Sequence, residues 1–280
     1  MRRREFIQSL GGVGALLAWP RRPRAATKLD RIGLELYSVR KAMAADPERT
    51  LAAVRAIGYA DVELLWSFKN FGRSPSQVNE TLAHEGLRAP SAHMAPEEIV
   101  DRGRWLAALD TAHLLGHQYL IVPNLPDETK LSLDGWRGWA DRFNDAGTVA
   151  RSAGVWLAFH NEPEHMKPVD GVVPYDLFIE RLDPSAVRLQ LDVGNMLLGG
   201  GDPMRYLTRY RDRYWSFHLK DVVADRTRDT ELGTGTFDFA RFLGAIPALT
   251  DKPCYVEQES PADELASARR DFNYLRSVTW

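Results

Sequence analysis

Residues 189–203 read Leu-Gln-Leu-Asp-Val-Gly-Asn-Met-Leu-Leu-Gly-Gly-Gly-Asp-Pro. An apolar run reaches Asp192 and then breaks into small residues, a pattern typical of a buried parallel strand that carries one carboxylate at its carboxyl end. The glycines at 199–201 predict a loose loop there. His218 and Glu257 likewise stand at the ends of later apolar runs. Asp, His and Glu at the ends of separate strands indicate a site for a divalent metal ion.

The rest of the chain alternates short apolar runs with longer amphipathic segments. We predict strands at residues 32–37, 61–65, 87–92, 119–122, 155–159 and 187–191 and in two runs that end at 218 and 257. The predicted helices lie at 47–57, 76–85, 105–115, 133–153, 174–181, 203–210, 239–246 and 262–278. Eight strand–helix units in about 250 residues are the count and length of a single α/β barrel, the (β/α)8 TIM barrel.

Glycines at the ends of predicted helices support this alternation, because each precedes a predicted strand. They are Gly58, Gly86, Gly116 and Gly154. A doubly wound sheet is the competing architecture, and it would require a glycine-rich phosphate turn after the first strand. Residues 37–40 read Tyr-Ser-Val-Arg and contain no glycine. We therefore predict one barrel domain over residues 27–280.

The composition is that of a soluble globular protein, since 44% of the 280 residues are hydrophobic and 26% are charged. The formal net charge of -2 gives no general attraction to nucleic acid or to an anionic membrane. The single cysteine, Cys254, excludes an internal disulfide and a cysteine-based zinc site. The sequence leaves the oligomeric state open, a homo-oligomer included.

Residues 1–26 resemble a twin-arginine export signal. Arg3 and Arg4 precede Glu5 and two apolar residues, a short glycine-containing apolar run follows at 10–19, and a basic segment with small residues ends at 26. The apolar run is too short for a stable membrane anchor. We expect a periplasmic or otherwise exported protein that meets the twin-arginine export machinery. A disordered basic N-terminus of a cytoplasmic protein is the alternative.

Polar side chains stand where most of the predicted strands end. In a barrel these ends meet at one mouth, so residues far apart in sequence converge there. Carboxylates in such positions cost desolvation free energy unless they are paired or metal-bound, which favours a functional cluster over packing. The candidates are Glu35, Glu63, His93, Asn124, His160, Glu162, Asp192, His218, Lys220, Glu257 and Gln258.

An ordered set of motifs resembles the sugar phosphate isomerase/epimerase family, the xylose-isomerase-like TIM barrels. The motifs are Gly-Leu-Glu-Leu-Tyr-Ser-Val-Arg at 33–40, Phe-His-Asn at 159–161, Leu-Asp-Val-Gly-Asn at 191–195, His-Leu-Lys-Asp at 218–221, Gly-Thr-Gly-Thr-Phe-Asp-Phe at 233–239 and Val-Glu-Gln at 256–258. The resemblance extends to the end of the chain. It implies a xylose-isomerase-like barrel with its site at the mouth.

The resemblance also implies a bound divalent metal, most commonly manganese, with cobalt, zinc, iron and magnesium as alternatives. Carried over, Asp192, His218 and Glu257 take three of four ligand positions. The first position departs from the family pattern, because His160 stands where a glutamate is expected. Either His160 is the first ligand, which we favour, or Glu162 completes the site. A weak or absent metal is the third alternative.

In this family such a metal holds a hydroxyl and the adjacent carbonyl of a sugar, so that a carboxylate can move a proton through an enediolate. Glu162 and Glu257 are the candidate bases. Lys220 is the candidate for stabilising the oxyanion, with a salt bridge to Asp192 or Glu257 as its structural alternative. The candidate substrate-binding residues, each with a structural alternative, are Glu35, Glu63, His93, Asn124, Asn161 and Gln258.

We therefore expect a metal-dependent isomerase, epimerase or lyase that acts on a sugar or keto-sugar. Phosphorylated sugars are scarce outside the cytoplasm and the chain shows no clear arginine pair committed to phosphate, so we expect an unphosphorylated substrate. A non-catalytic sugar-binding barrel is the alternative. A phosphodiesterase of the apurinic endonuclease branch is disfavoured, because Asn195 stands where that branch has a further zinc-binding histidine.

Overall fold

The computed structural model describes residues 27–280, and the predicted export signal at 1–26 lies outside the described residues. The barrel strands are β1 Gly33–Glu35, β2 Asp61–Leu65, β3 Arg88–His93, β4 Tyr119–Val122, β5 Trp156–His160, β6 Val187–Asp192, β7 Tyr214–Leu219 and β10 Cys254–Val256. They are parallel and close in the order β1-β10-β7-β6-β5-β4-β3-β2. The structure thus confirms the predicted TIM barrel. The short strands β8 Asp221–Val222 and β9 Asp229–Thr230 pair antiparallel outside it.

Helices return the chain between the barrel strands. They lie at Arg40–Ala45, Pro47–Ile57, Lys69–Gly72, Pro75–Glu85, Arg102–Leu115, Asp127–Lys130, Leu133–Ser152, Pro174–Arg181, Val193–Leu198, Pro203–Arg209, Phe239–Ala245 and Glu264–Ser277. Turns of 3-10 helix lie at Leu36–Val39, Trp66–Phe68, Pro96–Ile99, Pro163–Met166 and Leu249–Asp251. Within residues 27–280, no helix combines the length and the apolar character needed to cross a membrane.

Local sequence accounts for the ends of several helices. Asp46 caps the helix that begins at Pro47, and Ser74 and Gln77 form a reciprocal capping box at the next long helix. Gly86 and Gly116 end their helices in the left-handed region, at φ of 66° and 72°. These positions favour glycine because a side chain strains this backbone conformation.

The main core lies between the barrel and the helices, and it determines which strand residues face inward. On β5, Phe159 packs outward against Phe178 at 4.5 Å and edge-on against Phe143 at 5.5 Å between ring centroids. Successive side chains of a strand point to opposite faces. Burial of Phe159 in the outer layer therefore places His160 in the barrel lumen.

Strand register shows which residues of neighbouring strands share the lumen face. Asp192 on β6 pairs with His218 on β7, and His160 on β5 pairs with Gln190 on β6. The β10 strand pairs Tyr255 with His218. Because paired residues of neighbouring parallel strands point to the same face, these side chains line one lumen.

Aromatic rings fill the amino end of the barrel around one guanidinium group. Arg188 lies 3.6 Å from the ring centroid of Trp156 and 3.5 Å from that of Trp215. Its Nη1 donates a hydrogen bond to the Tyr119 hydroxyl at 2.9 Å. Cation–π contacts of this kind stabilise a partly desolvated cation. This end is therefore packed, which leaves the opposite mouth for chemistry.

Two aspartates fix the loops at the mouth. The Asp221 carboxylate accepts hydrogen bonds from the backbone N–H groups of Gly233 and Gly235 at 3.0 and 3.1 Å. Asp229 Oδ2 accepts from the backbone N–H of Glu259 at 2.8 Å. Consequently the β7–helix loop and the segment after β10 are held together.

The structure corrects two details of the prediction. The first strand ends at Glu35 rather than at residue 37, because the Glu35 carboxylate accepts the Tyr37 N–H and starts a 3-10 turn. The helix Val193–Leu198 was not predicted, and Asp192 caps it. In the following loop a Cβ on Gly199 would lie 2.4 Å from the Pro163 carbonyl oxygen, and Gly200 has a φ of 87°. The looseness expected of this loop stays a prediction.

Candidate metal centre

Three histidines from alternate strands meet in the lumen. They are His93 on β3, His160 on β5 and His218 on β7, and all are buried. Their ring centroids lie 4.9 to 5.2 Å apart. Histidine is a common metal ligand, and each buried ring nitrogen needs a hydrogen-bond partner or a metal ion.

Four buried side chains form a group that could hold a metal ion. His160, Asp192, His218 and Glu257 each offer a donor atom within 4.8 Å of the other three. His160 Nε2 lies 3.4 Å from Asp192 Oδ2, and His218 Nδ1 lies 2.7 Å from Glu257 Oε2. Imidazole and carboxylate donors suit the divalent metals from manganese to zinc.

The hydrogen bonding of His160 and Asp192 fits a bound metal. Both ring nitrogens of His160 are buried without a hydrogen-bond partner in the described part of the chain. Among residues 27–280, no group forms a directed hydrogen bond with Asp192 Oδ2, although the Lys220 ammonium forms an ion pair with it at 3.0 Å. Burial lowers the pKa of His160 to about 4, so the ring is neutral and keeps a lone pair for a metal.

The backbone around Asp192 fixes the direction of its side chain. Its Oδ1 accepts the Asn195 N–H at 2.8 Å, which caps the helix Val193–Leu198. The Asn161 amide bridges the backbone N–H and C=O of Asp192 across two strands, at 2.9 Å each. Because Oδ1 is used for capping, Oδ2 is the oxygen that faces the metal group.

Lys220 is fully buried beside the same group. Its Nζ lies 3.0 Å from Asp192 Oδ2, 3.1 Å from Glu257 Oε2 and 2.7 Å from Glu259 Oε1. It also donates to Asn195 Oδ1 at 2.9 Å. Burial opposes its charge, but Asp192 and Glu257 hold the pKa of Lys220 well above its usual value. The salt bridge expected as the structural alternative for Lys220 is therefore present.

Glu35 and Glu63 join His93 on the other side of the lumen. His93 Nε2 lies 3.1 Å from Glu63 Oε2, and its Nδ1 lies 3.7 Å from Glu35 Oε1. Burial, together with the nearby Glu257, raises the pKa of Glu35 to about 8. Burial opposes protonation of His93, but Glu63 raises its pKa to about 9. These three side chains therefore lie next to the metal group and interact with it electrostatically.

Glu162 lies at the edge of the site rather than within the group of four. Its side chain is 24% exposed, and its Oε1 lies 3.8 Å from His160 Nδ1. Its Oε2 accepts a hydrogen bond from Asn195 Nδ2 at 3.0 Å. Burial raises its pKa well above the usual value of a carboxyl group. The geometry thus places His160, and not Glu162, beside Asp192 and His218.

Two residues predicted to contact substrate form no hydrogen bond with the four metal-group residues within the described part of the chain. Asn124 bonds to Glu164, and its Oδ1 accepts from Lys130 Nζ at 3.1 Å. Gln258 is buried, its backbone N–H donates to Ser38 Oγ, and its Oε1 has no hydrogen-bond partner among the described residues. Their roles in binding remain predictions.

Sequence reasoning missed several polar residues that support the site. Gln190 Nε2 donates to Glu63, Ser91 lies between Glu63 and Tyr255, and Asn195 orients both Glu162 and Lys220. Gln190 and Ser91 lie within strands rather than at their ends. Their only signal was a polar residue inside a buried apolar run.

The fold and site define the class: a TIM barrel with a candidate divalent-metal site at the carboxyl ends of its strands. The model of the xylose isomerase-like TIM barrel family matches residues 51–278. The chain therefore belongs to the xylose isomerase-like TIM barrel family, as its motifs predicted.

The individual relatives within this family share only a small part of their sequence with this chain. The inosose dehydratase of Geobacillus kaustophilus is 26% identical over 201 residues, which are 64% of this chain and 63% of that protein. The match thus spans less than two thirds of that relative. A sugar phosphate isomerase/epimerase from Parabacteroides distasonis superimposes with a TM-score of 0.77 at 23% identity, over 91% of this chain and 96% of the other. The IOLI protein, whose crystal structure holds a zinc atom, has a TM-score of 0.69 at 14% identity, over 89% and 99%. Both structural likenesses concern the fold.

Gly194 offers a direct test of how tightly this site is packed. A Cβ at this position would lie 2.4 to 2.7 Å from Cβ, Cγ and Cδ of the buried Lys220 side chain. We expect Gly194→Ala to lower the free energy of unfolding by about 1–3 kcal/mol, because Lys220 has no room to shift without leaving its carboxylates. Urea denaturation followed by circular dichroism measures this change.

Gly138→Ala is the matched control, because the nearest atom to a Cβ there is 3.8 Å away within a helix. We expect it to leave the stability unchanged or to raise it by up to about 1 kcal/mol. A Gly194→Ala protein as stable as the wild type would contradict the packing described here.

Proposed function

We propose that this protein is a divalent-metal-dependent enzyme that moves a proton next to the carbonyl group of an unphosphorylated sugar or keto-sugar. The reaction is an isomerisation, an epimerisation or an elimination. The observation that carries the proposal is His160, whose unpartnered buried ring nitrogens lie among the donors of Asp192, His218 and Glu257. These four residues are the proposed metal ligands. Manganese is the proposed metal, with zinc, cobalt, iron and magnesium as alternatives.

The charges at the mouth favour an uncharged substrate. Glu162 and Glu259 are both partly exposed there. Lys220 is already paired with Asp192, Glu257 and Glu259. A phosphate group beside these residues would meet two carboxylates and a cation that is already paired, so hydroxyl groups fit the site better.

The relatives support the class of substrate and leave the outcome of the reaction open. The inosose dehydratase of Geobacillus kaustophilus is named for an elimination. The sugar phosphate isomerase/epimerase of Parabacteroides distasonis is named for isomerisation and epimerisation. Removal of a proton next to a carbonyl group can begin any of these reactions. We therefore propose a polyhydroxylated ketone, an inosose or a keto-sugar, as the substrate class.

Glu162 is the proposed proton-transfer residue. When bound, the metal supplies a Lewis acid that polarises the substrate carbonyl and acidifies the neighbouring C–H. The C–H bond breaks, its electron pair enters the enediolate, and the proton passes to the Glu162 carboxylate. Delivery of this proton to the neighbouring carbon, while the hydroxyl proton passes to the former carbonyl oxygen, completes an isomerisation. An epimerisation is completed when water supplies a proton to the opposite face of the same carbon and Glu162 releases its proton to solvent. Delivery of the proton to a departing hydroxyl group completes an elimination of water.

Lys220 and Asn195 position the groups that act. The Lys220 ammonium lies 3.0 Å from Asp192 Oδ2. In the proposed reaction it provides a fixed positive charge for the substrate oxygens, which become negative in the enediolate. Asn195 donates to Glu162 Oε2 and accepts from Lys220 Nζ, and so it holds the two side chains in one arrangement. Glu257 serves as a ligand in this scheme, because its Oε2 is already shared by His218 and Lys220.

Substitution of His160 and Glu162 separates ligation from proton transfer. We expect His160→Ala to weaken Mn²⁺ binding by ten-fold or more, because a first ligand is lost. Glu162→Gln should keep the Mn²⁺ affinity within about two-fold and lower turnover by about 10²–10⁴-fold. Isothermal titration of the metal-free proteins measures the affinities.

His113→Ala is the control for loss of a histidine, since His113 bonds to the Ala153 carbonyl outside the site. It should bind Mn²⁺ like the wild type. The opposite pattern, with affinity lost in Glu162→Gln and kept in His160→Ala, would make Glu162 the first ligand.

The reaction itself is tested by isotope exchange. Metal-loaded protein incubated in D₂O with a panel of inososes and keto-sugars should place deuterium next to the carbonyl group or release water from at least one compound. Asp192→Asn should do neither. Mass spectrometry and proton NMR detect both outcomes. Binding without exchange or water loss across the panel would instead favour the non-catalytic sugar-binding barrel.

We also propose that residues 1–26 direct export through the twin-arginine machinery, on the strength of the Arg3-Arg4-Glu5-Phe6-Ile7 pattern. Replacement of Arg3 and Arg4 together by lysine should retain the protein in the cytoplasm with its signal uncut. Cell fractionation and the mass of the mature protein measure this, and export of the double variant at the wild-type level would refute the proposal.

A further inference from the structure

The Glu63 carboxylate lies at the centre of the barrel lumen and has no exposed surface. Its Oε1 accepts hydrogen bonds from Ser91 Oγ and from Gln190 Nε2. Its Oε2 lies within hydrogen-bond distance of His218 Nε2 and 3.1 Å from His93 Nε2. Side chains of β3, β6 and β7 thus converge on one carboxylate of β2.

Two of these partners hold Glu63 independently of His218. Ser91 is itself bonded to the Tyr255 hydroxyl at 2.7 Å, and Gln190 also donates to Ser216 Oγ at 2.9 Å. Both anchors are buried. Glu63 is therefore a rigid acceptor whose position is set by the barrel and not by the histidine.

The two nitrogens of His218 face different partners. Nε2 points to Glu63, whereas Nδ1 lies 2.7 Å from Glu257 Oε2 and 3.9 Å from Asp192 Oδ2. A carboxylate accepts only from a nitrogen that carries a proton, so without a metal ion both contacts favour a protonated ring nitrogen. Glu257 belongs to the group of four proposed ligands and Glu63 does not, so a bound metal ion would replace the proton on Nδ1, whereas the contact with Glu63 keeps the proton on Nε2.

We propose that Glu63 is a positioning residue that fixes the tautomer and ring orientation of His218, so that Nδ1 binds the metal. The inference rests on the metal site of the proposed function. Glu63 acts through His218 and does not touch the substrate, in contrast to the substrate contact expected from its place near a strand end. Partners of this kind orient metal-binding histidines, and their loss weakens metal binding by about 10–100-fold.

Zinc titration of variants tests the inference. Glu63→Gln should bind Zn²⁺ about 10–100-fold more weakly than the wild type, because the amide no longer enforces a proton on Nε2. Glu63→Asp should also lose affinity, since the shorter side chain withdraws the acceptor from His218. An Asp variant that binds like the wild type would overturn the positioning role, because charge alone would then suffice.

Thr50→Ala is the control for loss of a buried hydrogen bond. It removes the bond from the buried Thr50 hydroxyl to the Asp46 carbonyl at 2.7 Å, which lowers stability outside the site and leaves Glu63 and its partners unchanged. We expect its Zn²⁺ affinity to stay within about two-fold of the wild type. A loss equal to that of Glu63→Gln would show a general effect of destabilisation and would contradict the inference.

A second measurement requires no variant of Glu63. In the zinc-loaded wild-type protein, long-range proton–nitrogen NMR distinguishes which ring nitrogen of each histidine carries a proton and which binds metal. We expect at least one histidine that binds through Nδ1 and is protonated on Nε2. If zinc binds and no such histidine is found, the inference fails while the proposed function stands. If the wild-type protein binds no divalent metal, the proposed function itself fails.

Discussion

The ion pair between Lys220 and the carboxylates of Asp192 and Glu257 is the interaction on which the rest of the mouth depends. All three side chains are buried, and the cost of removing such charges from water is several kcal/mol for each ion. Only close, fixed contacts offset this cost. The glycine at 194, the cap at Asp192 and the bridge from Asn195 all hold the pair in place. Because Lys220 contacts Asp192 Oδ2 and Glu257 Oε2, these constraints also fix the oxygens that face the metal group, and structural and functional requirements coincide.

The amino end of the barrel is packed for stability, whereas the carboxyl end carries the candidate site. At the amino end, Arg188 is stacked between Trp156 and Trp215, and its charge is stabilised by aromatic rings without a site being formed. At the carboxyl end the strands place imidazoles and carboxylates in a buried lumen, where their interactions are stronger than in bulk water. Loops tied by Asp221 and Asp229 keep this end ordered. Parallel strands make this division possible, because all their carboxyl ends lie at one rim.

Much of the architecture could be predicted because its signals are local. Alternation of apolar runs with amphipathic segments, and glycine at helix ends, depend on neighbouring residues and predicted all eight barrel strands. Asp192, His218 and Glu257 were identified because each follows an apolar run. The close contact at Gly199 could not be predicted, because its neighbour in space, Pro163, is distant in sequence. The strand at 32–37 was shortened by a side-chain hydrogen bond that the apolar pattern does not encode.

The sequence by itself determined the family of fold, the end of the barrel that carries the polar residues, and three of the four donors that the lumen brings together. Only the tertiary structure decided that His160, rather than Glu162, lies beside Asp192, and that Glu63 meets His218 across the barrel. The physical reason is that strand patterns depend on the chemistry of adjacent residues, whereas pairings across a lumen depend on register and barrel closure. A shift of one residue in the register of β5 would turn His160 outward and Phe159 inward. The residues adjacent to His160 do not by themselves determine this register.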